Sequence, residues 1–110
     1  MSFEVQYTAR ARQDLRNIYE YIAYDLLVPE TAVRQAQRIM KEIRALNEMP
    51  LRYRLYDDEP WRSQGVRFFP VNNYLVFYLP DENKNTVQIV RIIYGGRDIK
   101  KQLSETVIEY

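Results

Sequence analysis

The side chains of this chain that can do chemistry are mostly arginines and tyrosines. Twelve of its 16 basic residues are Arg, ten residues are Tyr, and there is neither His nor Cys. Lack of His removes the commonest general base and the commonest zinc ligand, and lack of Cys removes thiolate sites and disulfides. Three arginines remain as candidates for anionic oxygen. The planar forks of Arg67, Arg91 and Arg97 suit phosphate or carboxylate, and Tyr94 or Glu59 could transfer a proton. Asp57, Asp58 and Glu59 are consecutive acids, but three in a row point in different directions and read as a solvated loop. No metal and no cofactor is expected. A net charge of +1 argues against a protein that coats nucleic acid indiscriminately.

Those residues need a scaffold. Phe3, Val5 and Tyr7 alternate with polar residues as a short strand does, and Thr8 stands at an N-cap position. Ala11, Leu15, Ile18, Ile22 and Leu26 then recur at helical spacing. Val28-Pro29-Glu30 breaks that helix and opens a second, with Ala32, Ala36, Ile39, Ile43 and Leu46 on one face. Joined by a short turn, the two predict an antiparallel helical hairpin. Pro50 ends it, and residues 51–64 read as irregular. Strands are expected at about Val66 to Phe69, Tyr74 to Leu79 and Val87 to Tyr94, linked by an Asn72-Asn73 turn and a polar turn from Asp81 to Asn85. Arg97 to Leu103 predicts one helical turn. The fold class is therefore α+β, in the order β-α-α-β-β-β, with a helical hairpin on a twisted, mainly antiparallel sheet.

At this length one domain is expected, residues 1–103, with 104–110 as a C-terminal tail. No apolar run approaches the roughly 18 residues of a membrane span, and Met1-Ser2-Phe3-Glu4 lacks the basic and apolar regions of a signal peptide. A cytoplasmic globular protein without membrane partners is the expectation. Several candidates carry two readings. Tyr74, Phe77 and Tyr78 on a central strand are more often core than partner contacts. Arg91 interrupts an apolar strand: it either turns inward to a carboxylate or lies on the solvent face. Arg97-Asp98 either pairs locally, caps the last turn or faces a partner, and Trp61 reads as a plug under its loop.

The run Arg67-Phe68-Phe69-Pro70-Val71-Asn72-Asn73-Tyr74-Leu75-Val76-Phe77-Tyr78, followed by Val87 through Asp98 with Arg91-Ile92-Ile93-Tyr94-Gly95-Gly96-Arg97-Asp98 at its end, resembles the second half of the RelE/ParE toxins. Thr8, Ala11, Asp14-Leu15 and Tyr21-Ile22 resemble the family's first helix, and Leu46, Met49 and Pro50 the end of its second. The similarity runs from about residue 4 to 103. It implies the toxin of a type II toxin–antitoxin, plasmid-stabilisation-type system. A cognate antitoxin would then lay an apolar, acidic segment across the surface, and any DNA would be reached only indirectly through it.

Two activities belong to that family. RelE-like members cleave mRNA on the ribosome, and ParE-like members poison DNA gyrase. Arg97 carries over by position from RNA-cleaving relatives. Against that activity, the lysines those relatives place near the second strand are absent, Val66 to Pro70 holding only Arg67. The ParE-like reading is favoured, so whether the chain is an enzyme stays open; a ribosome-dependent endoribonuclease is one alternative and a non-toxic antitoxin-binding module another. Arg67, Tyr78, Arg91, Tyr94 and Arg97 are the residues expected at a target or antitoxin surface.

Overall fold

A computed structural model describes residues 2–106. β1 (Glu4–Tyr7) leads through Thr8, whose side chain accepts from the Ala11 amide (3.0 Å), into α1 (Ala9–Glu20). The expected first helix does not run on regularly to Leu26. It widens into a π-helical turn over Tyr21–Asp25, closed by Leu26 N donating to Tyr21 O (3.0 Å). Pro29 then starts α2 (Pro29–Arg44), a 3-10 turn follows at Ala45–Asn47, and Arg52 donates to the carbonyls of Ala45 and Glu48 at that end.

The sheet has four strands in the order β1-β4-β3-β2, the last three being β2 (Arg67–Val71), β3 (Tyr74–Asp81) and β4 (Thr86–Tyr94). β2, β3 and β4 form the expected antiparallel meander, and β1 adds to β4 in parallel through Glu4↔Thr86 to Tyr7↔Ile89. The Asn72-Asn73 turn is present, with Asn72 at φ 54°. In the polar turn Asp81 Oδ1 accepts from the amides of Asn83 and Lys84 (3.0 and 3.1 Å).

Both faces of the sheet are covered. Ile18, Ile22, Ala32, Ile39 and Ile43 of the hairpin pack on Phe69, Val76, Tyr78, Ile89 and Ile92. On the other face Val66, Phe77, Leu79, Val90 and Ile93 pack with Leu103, Trp61 and Tyr56. The supposedly irregular segment supplies part of that cover, since it contains α3 (Trp61–Gln64) and a bridge from Leu55 to Arg67. The rest comes from α4 (Ile99–Ser104), capped by Asp98, whose side chain accepts from Lys101 N (3.2 Å). A strand such as β3, with Val76 through Leu79 all buried, requires cover on two sides. Of the expected tail, Ser104 closes α4 and Thr106 is hydrogen-bonded, while residues 107–110, with Tyr110, lie outside the described residues.

Candidate functional site

β1 accompanies β4 only as far as Ile89, and beyond it α1 takes over that flank. Thr8 Oγ1 donates to Val90 O (3.1 Å), and Asp14 Oδ2 accepts from Ile92 N (2.9 Å). There β4 carries a bulge: Phe77 faces Arg91 while Tyr78 faces Ile89, leaving Val90 as the extra residue. The bulge turns Arg91 inward to the carboxylate of Asp14. Nε donates to Oδ2 at 2.7 Å and Nη2 to Oδ1 at 3.1 Å, and both residues are buried. Nη1 donates to Gln102 O and Thr106 Oγ1, both at 2.9 Å, and Nη2 also reaches Gln102 Oε1 at 3.3 Å. All five N–H donors of the guanidinium thus have acceptors. One side chain ties α1 and β4 to α4 and to Thr106 just after it.

Beside this corner an open groove of about 830 Å³ runs along α1 and under the hairpin turn to the end of β4. Tyr21, Tyr74 and Tyr94 line it together with Arg10, Arg97 and Gln35. Tyr21 and Tyr94 are about half exposed. The Tyr74 and Tyr94 rings meet edge to face, centroids 5.7 Å apart. Burial, then the neighbouring phenols of Tyr94 and Tyr21, raise the pKa of Tyr74, so at neutral pH it is a protonated donor. Gly96 sets the pose of Tyr94, because a Cβ at 96 would fall 2.5 Å from Tyr94 Cε2. Gln35 Oε1 accepts from Asn72 Nδ2 (2.9 Å), and its buried Nε2 has no partner among the described residues. Leu26 and Val28 extend the rim as exposed apolar surface.

Of the residues singled out in the sequence, Arg91, Tyr94 and Arg97 come together in this groove, and the other two do not. Tyr78 is fully buried, donates from its hydroxyl to Pro50 O (2.7 Å) and belongs to the core. Burial pushes its pKa up to about 12. Arg67 is half-buried and donates to Tyr53 O (2.6 Å) and Leu51 O (3.3 Å), which fastens the 51–55 segment to β2. Arg91 lines the groove but is saturated, so its role there is to hold the wall. Glu59 lies outside the groove, hydrogen-bonded to Ser63 N and Oγ (2.7 and 2.5 Å), contacts that lower its pKa. Among the described residues Asp14 is the one carboxylate lining the groove, and it is engaged by Arg91 and Ile92 N. What the groove offers is two guanidiniums, of which Arg10 also stands 3.8 Å from Asp14 Oδ1, three phenols and an amide, a set suited to binding an anionic, partly apolar chain.

Sequence reasoning missed Gln35 and Tyr21 at the groove and Asp14 as the partner of Arg91. Asp14 had a signal, a carboxylate standing among Ala11, Leu15 and Ile18 on the buried face of α1. Gln35 had none.

The helical hairpin on a bulged four-stranded sheet with an arginine- and tyrosine-lined groove defines a small α+β protein. Residues 5–99 match the family model described as the ParE toxin of type II toxin–antitoxin systems, parDE. The chain belongs to the ParE toxin family of the RelE/ParE superfamily, and it is a toxin of the type II toxin–antitoxin kind. No curated protein matches its sequence. Among solved structures it is similar to a chain of the chromosomal ParDE system of Pseudomonas aeruginosa, with a TM-score of 0.69 and 23% identity over 84% of this chain and 96% of that one. A chain of the RelBE2 toxin–antitoxin complex of Mycobacterium tuberculosis gives a TM-score of 0.64 and 22% identity over 86% and 92%. An E. coli RelE mutant in the free state gives 0.62 and 14% over 96% and 95%. These likenesses confirm the fold expected from the sequence. No helix among the described residues is long and apolar enough to cross a membrane.

Proposed function

We propose that this chain is a ParE-like toxin that arrests growth in the cytoplasm by protein contact with DNA gyrase, and that a cognate antitoxin silences it. The observation that carries this reading is the groove. Its exposed Tyr21 and Tyr94, its Arg10 and Arg97, and the Gln35 amide, unpartnered among the described residues, suit a protein segment, while Asp14, the only carboxylate lining it among those residues, is engaged. An amphipathic acidic antitoxin segment would pair with the arginines at the rim and cover the tyrosines at the centre. A supercoiling assay with purified gyrase tests the target: inhibition with accumulation of cleaved complex is expected, and its absence at high toxin excess would sink the reading.

A second reading rests on Tyr94 and Arg97 lining one groove, a proton carrier beside a phosphate-binding cation. On it the chain is a ribosome-dependent mRNA endoribonuclease. Codon-phased cuts in a primer-extension scan of translated messages would favour it over gyrase. Induction without growth arrest would leave only a non-toxic antitoxin-binding module. A plasmid-stabilising role is tested by the loss rate of a plasmid carrying the toxin–antitoxin pair.

A further inference from the structure

The α1–α2 hairpin carries an exposed set of cations that the net value of +1 conceals. The buried positions of α2, Ala32, Ala36, Ile39 and Ile43, define its core face. At 100° per residue Arg34, Arg38, Lys41 and Arg44 fall on the opposite side, and all are exposed. On α1 Arg12 and Arg16 are exposed one turn apart. None of these six cations has a carboxylate within 4 Å among the described residues; Arg34 alone has a side-chain hydrogen bond, to Thr31 Oγ1 (3.2 Å). The hairpin's acids stand elsewhere. Glu20, Asp25 and Glu30 cluster at its turn, Asp14 is buried against Arg91, and Glu42 is half-buried. Other acids, Asp57, Asp58 and Glu59 beside α3 and Asp98 and Glu105 at the ends of α4, stand on the elements that cover the other face of the sheet, together with Arg54, Arg62, Lys100 and Lys101.

We propose that the outward face of the α1–α2 hairpin, through Arg12, Arg16, Arg38, Lys41 and Arg44, binds the phosphate backbone of duplex DNA directly. Three features select this occupant. Cations three and four residues apart on a helix stand about 5–6 Å from one another, so the α2 row from Arg34 to Arg44 extends about 15 Å, a match to regularly repeated charge. Large aromatics are missing from these positions, so the face offers neither an anchor for a peptide nor a stacking platform for single-stranded bases. The B-form major groove, about 12 Å wide, admits a helix that carries such a row, whereas the deep, narrow major groove of A-form RNA does not. The far layer, by contrast, mixes its cations with acids and pairs two of them, Arg54 with Asp57 (3.0 Å) and Lys100 with Asp58 (3.6 Å). The inference is independent of whether gyrase or the ribosome is the target, and it adds a direct contact to whatever DNA binding an antitoxin supplies.

The test is a fluorescence-anisotropy titration of the full chain, free of any antitoxin, on a 30-base-pair DNA duplex of arbitrary sequence. With about four phosphates neutralised, affinity should fall roughly a hundred-fold from 50 to 200 mM salt. The double variant Arg38→Glu with Lys41→Glu should bind at least about ten-fold more weakly, and Arg12→Glu with Arg16→Glu should do the same from the other helix. A matched pair on the far layer and turn, Lys84→Glu with Lys101→Glu, changes net charge equally and should leave affinity unchanged. Circular-dichroism melting checks that each variant is folded. The proposal is overturned by the absence of saturable binding at 50 mM salt, or by equal weakening in the far-layer pair. A polyglutamate peptide that competes as well as the duplex at equal charge, or tighter binding of a duplex RNA of the same sequence, would overturn it too.

Discussion

Arg91 and Arg97 lie six residues apart along the same stretch of chain, and both were candidates for contact with a partner. Their surroundings separate them. Arg91 is 3% exposed, every N–H it has is taken, and its acceptors come from α1 and the α4 segment. Arg97 is exposed on the groove beside Tyr94, with no carboxylate within 4 Å among the described residues. A desolvated guanidinium is tolerable only when fully paired, so Arg91 has no donor left for a second protein. An exposed one contributes little to folding and keeps its donors for a guest. The corner around Arg91 is architecture, and the groove mouth around Arg97 is where recognition can occur.

The sharpest way to break this contrast is at Asp14. Asp14→Ala strands the Arg91 charge in the interior and frees the Ile92 amide, and should cost about 3–5 kcal/mol. Urea unfolding measures it; a loss below about 1 kcal/mol would mean that the corner is not structural. Tyr78→Phe comes next, leaving Pro50 O without its donor at a cost of about 1–2 kcal/mol at neutral pH. It also has a pH signature. Because the folded-state pKa of Tyr78 is raised to about 12, above the ordinary value near 10, its contribution is fully present below pH 10 and is lost as pH climbs toward 12. Tyr78→Phe should therefore flatten part of the alkaline fall in stability between those limits, with Tyr7 and Tyr74, also raised mainly by burial, supplying the remainder. An unchanged alkaline profile would count against it.

Gly96→Ala acts on the mouth. The added methyl cannot coexist with the Tyr94 ring where it lies, but that ring is about half exposed and can swing aside. Stability should change by less than about 1 kcal/mol. Antitoxin affinity, measured by calorimetry, should fall about ten-fold because the tyrosine cluster is disrupted. Unaltered affinity would remove Tyr94 from the recognition surface.

How much of this was legible in the residues differs by region. The hairpin and the meander were readable because Ala11-Ile18-Ile22 and Ala32-Ala36-Ile39-Ile43 repeat at helical spacing and the turns carry Asn-Asn and Asp-Glu-Asn-Lys-Asn. The second cover of the sheet was less visible, since Tyr56, Trp61 and Leu103 are single anchors in short elements with no periodicity. Yet the unbroken apolar run of β3 was a signal that both faces needed cover. The site was half legible. Tyr94 and Arg97 are three residues apart along the chain and could be singled out there. Their separation from Arg91 depends on a bulge and on Asp14, 77 residues away, and no local pattern reports a pairing across that distance.

The smallest expected effect on folding is the most informative one. Arg97→Ala removes an exposed guanidinium that has no carboxylate within 4 Å among the described residues, and its unfolding free energy should stay within about 0.5 kcal/mol of the parent. Arg91→Ala, by contrast, would leave the Asp14 carboxylate unpaired and destabilise by several kcal/mol, so any loss of function there is confounded with loss of fold. Toxicity should therefore separate from stability only at position 97. Growth arrest on induction should be lost, and gyrase inhibition should weaken at least ten-fold in a chain that melts normally. If Arg97→Ala stays fully toxic, or if it melts as early as Asp14→Ala, the mouth and the corner are not the two different regions that their geometry indicates. Arg10→Ala, on the α1 wall of the groove, then decides between a misplaced site and an absent one: a well-folded, non-toxic Arg10 variant keeps the groove as the target surface and shifts its cation from the end of β4 to α1.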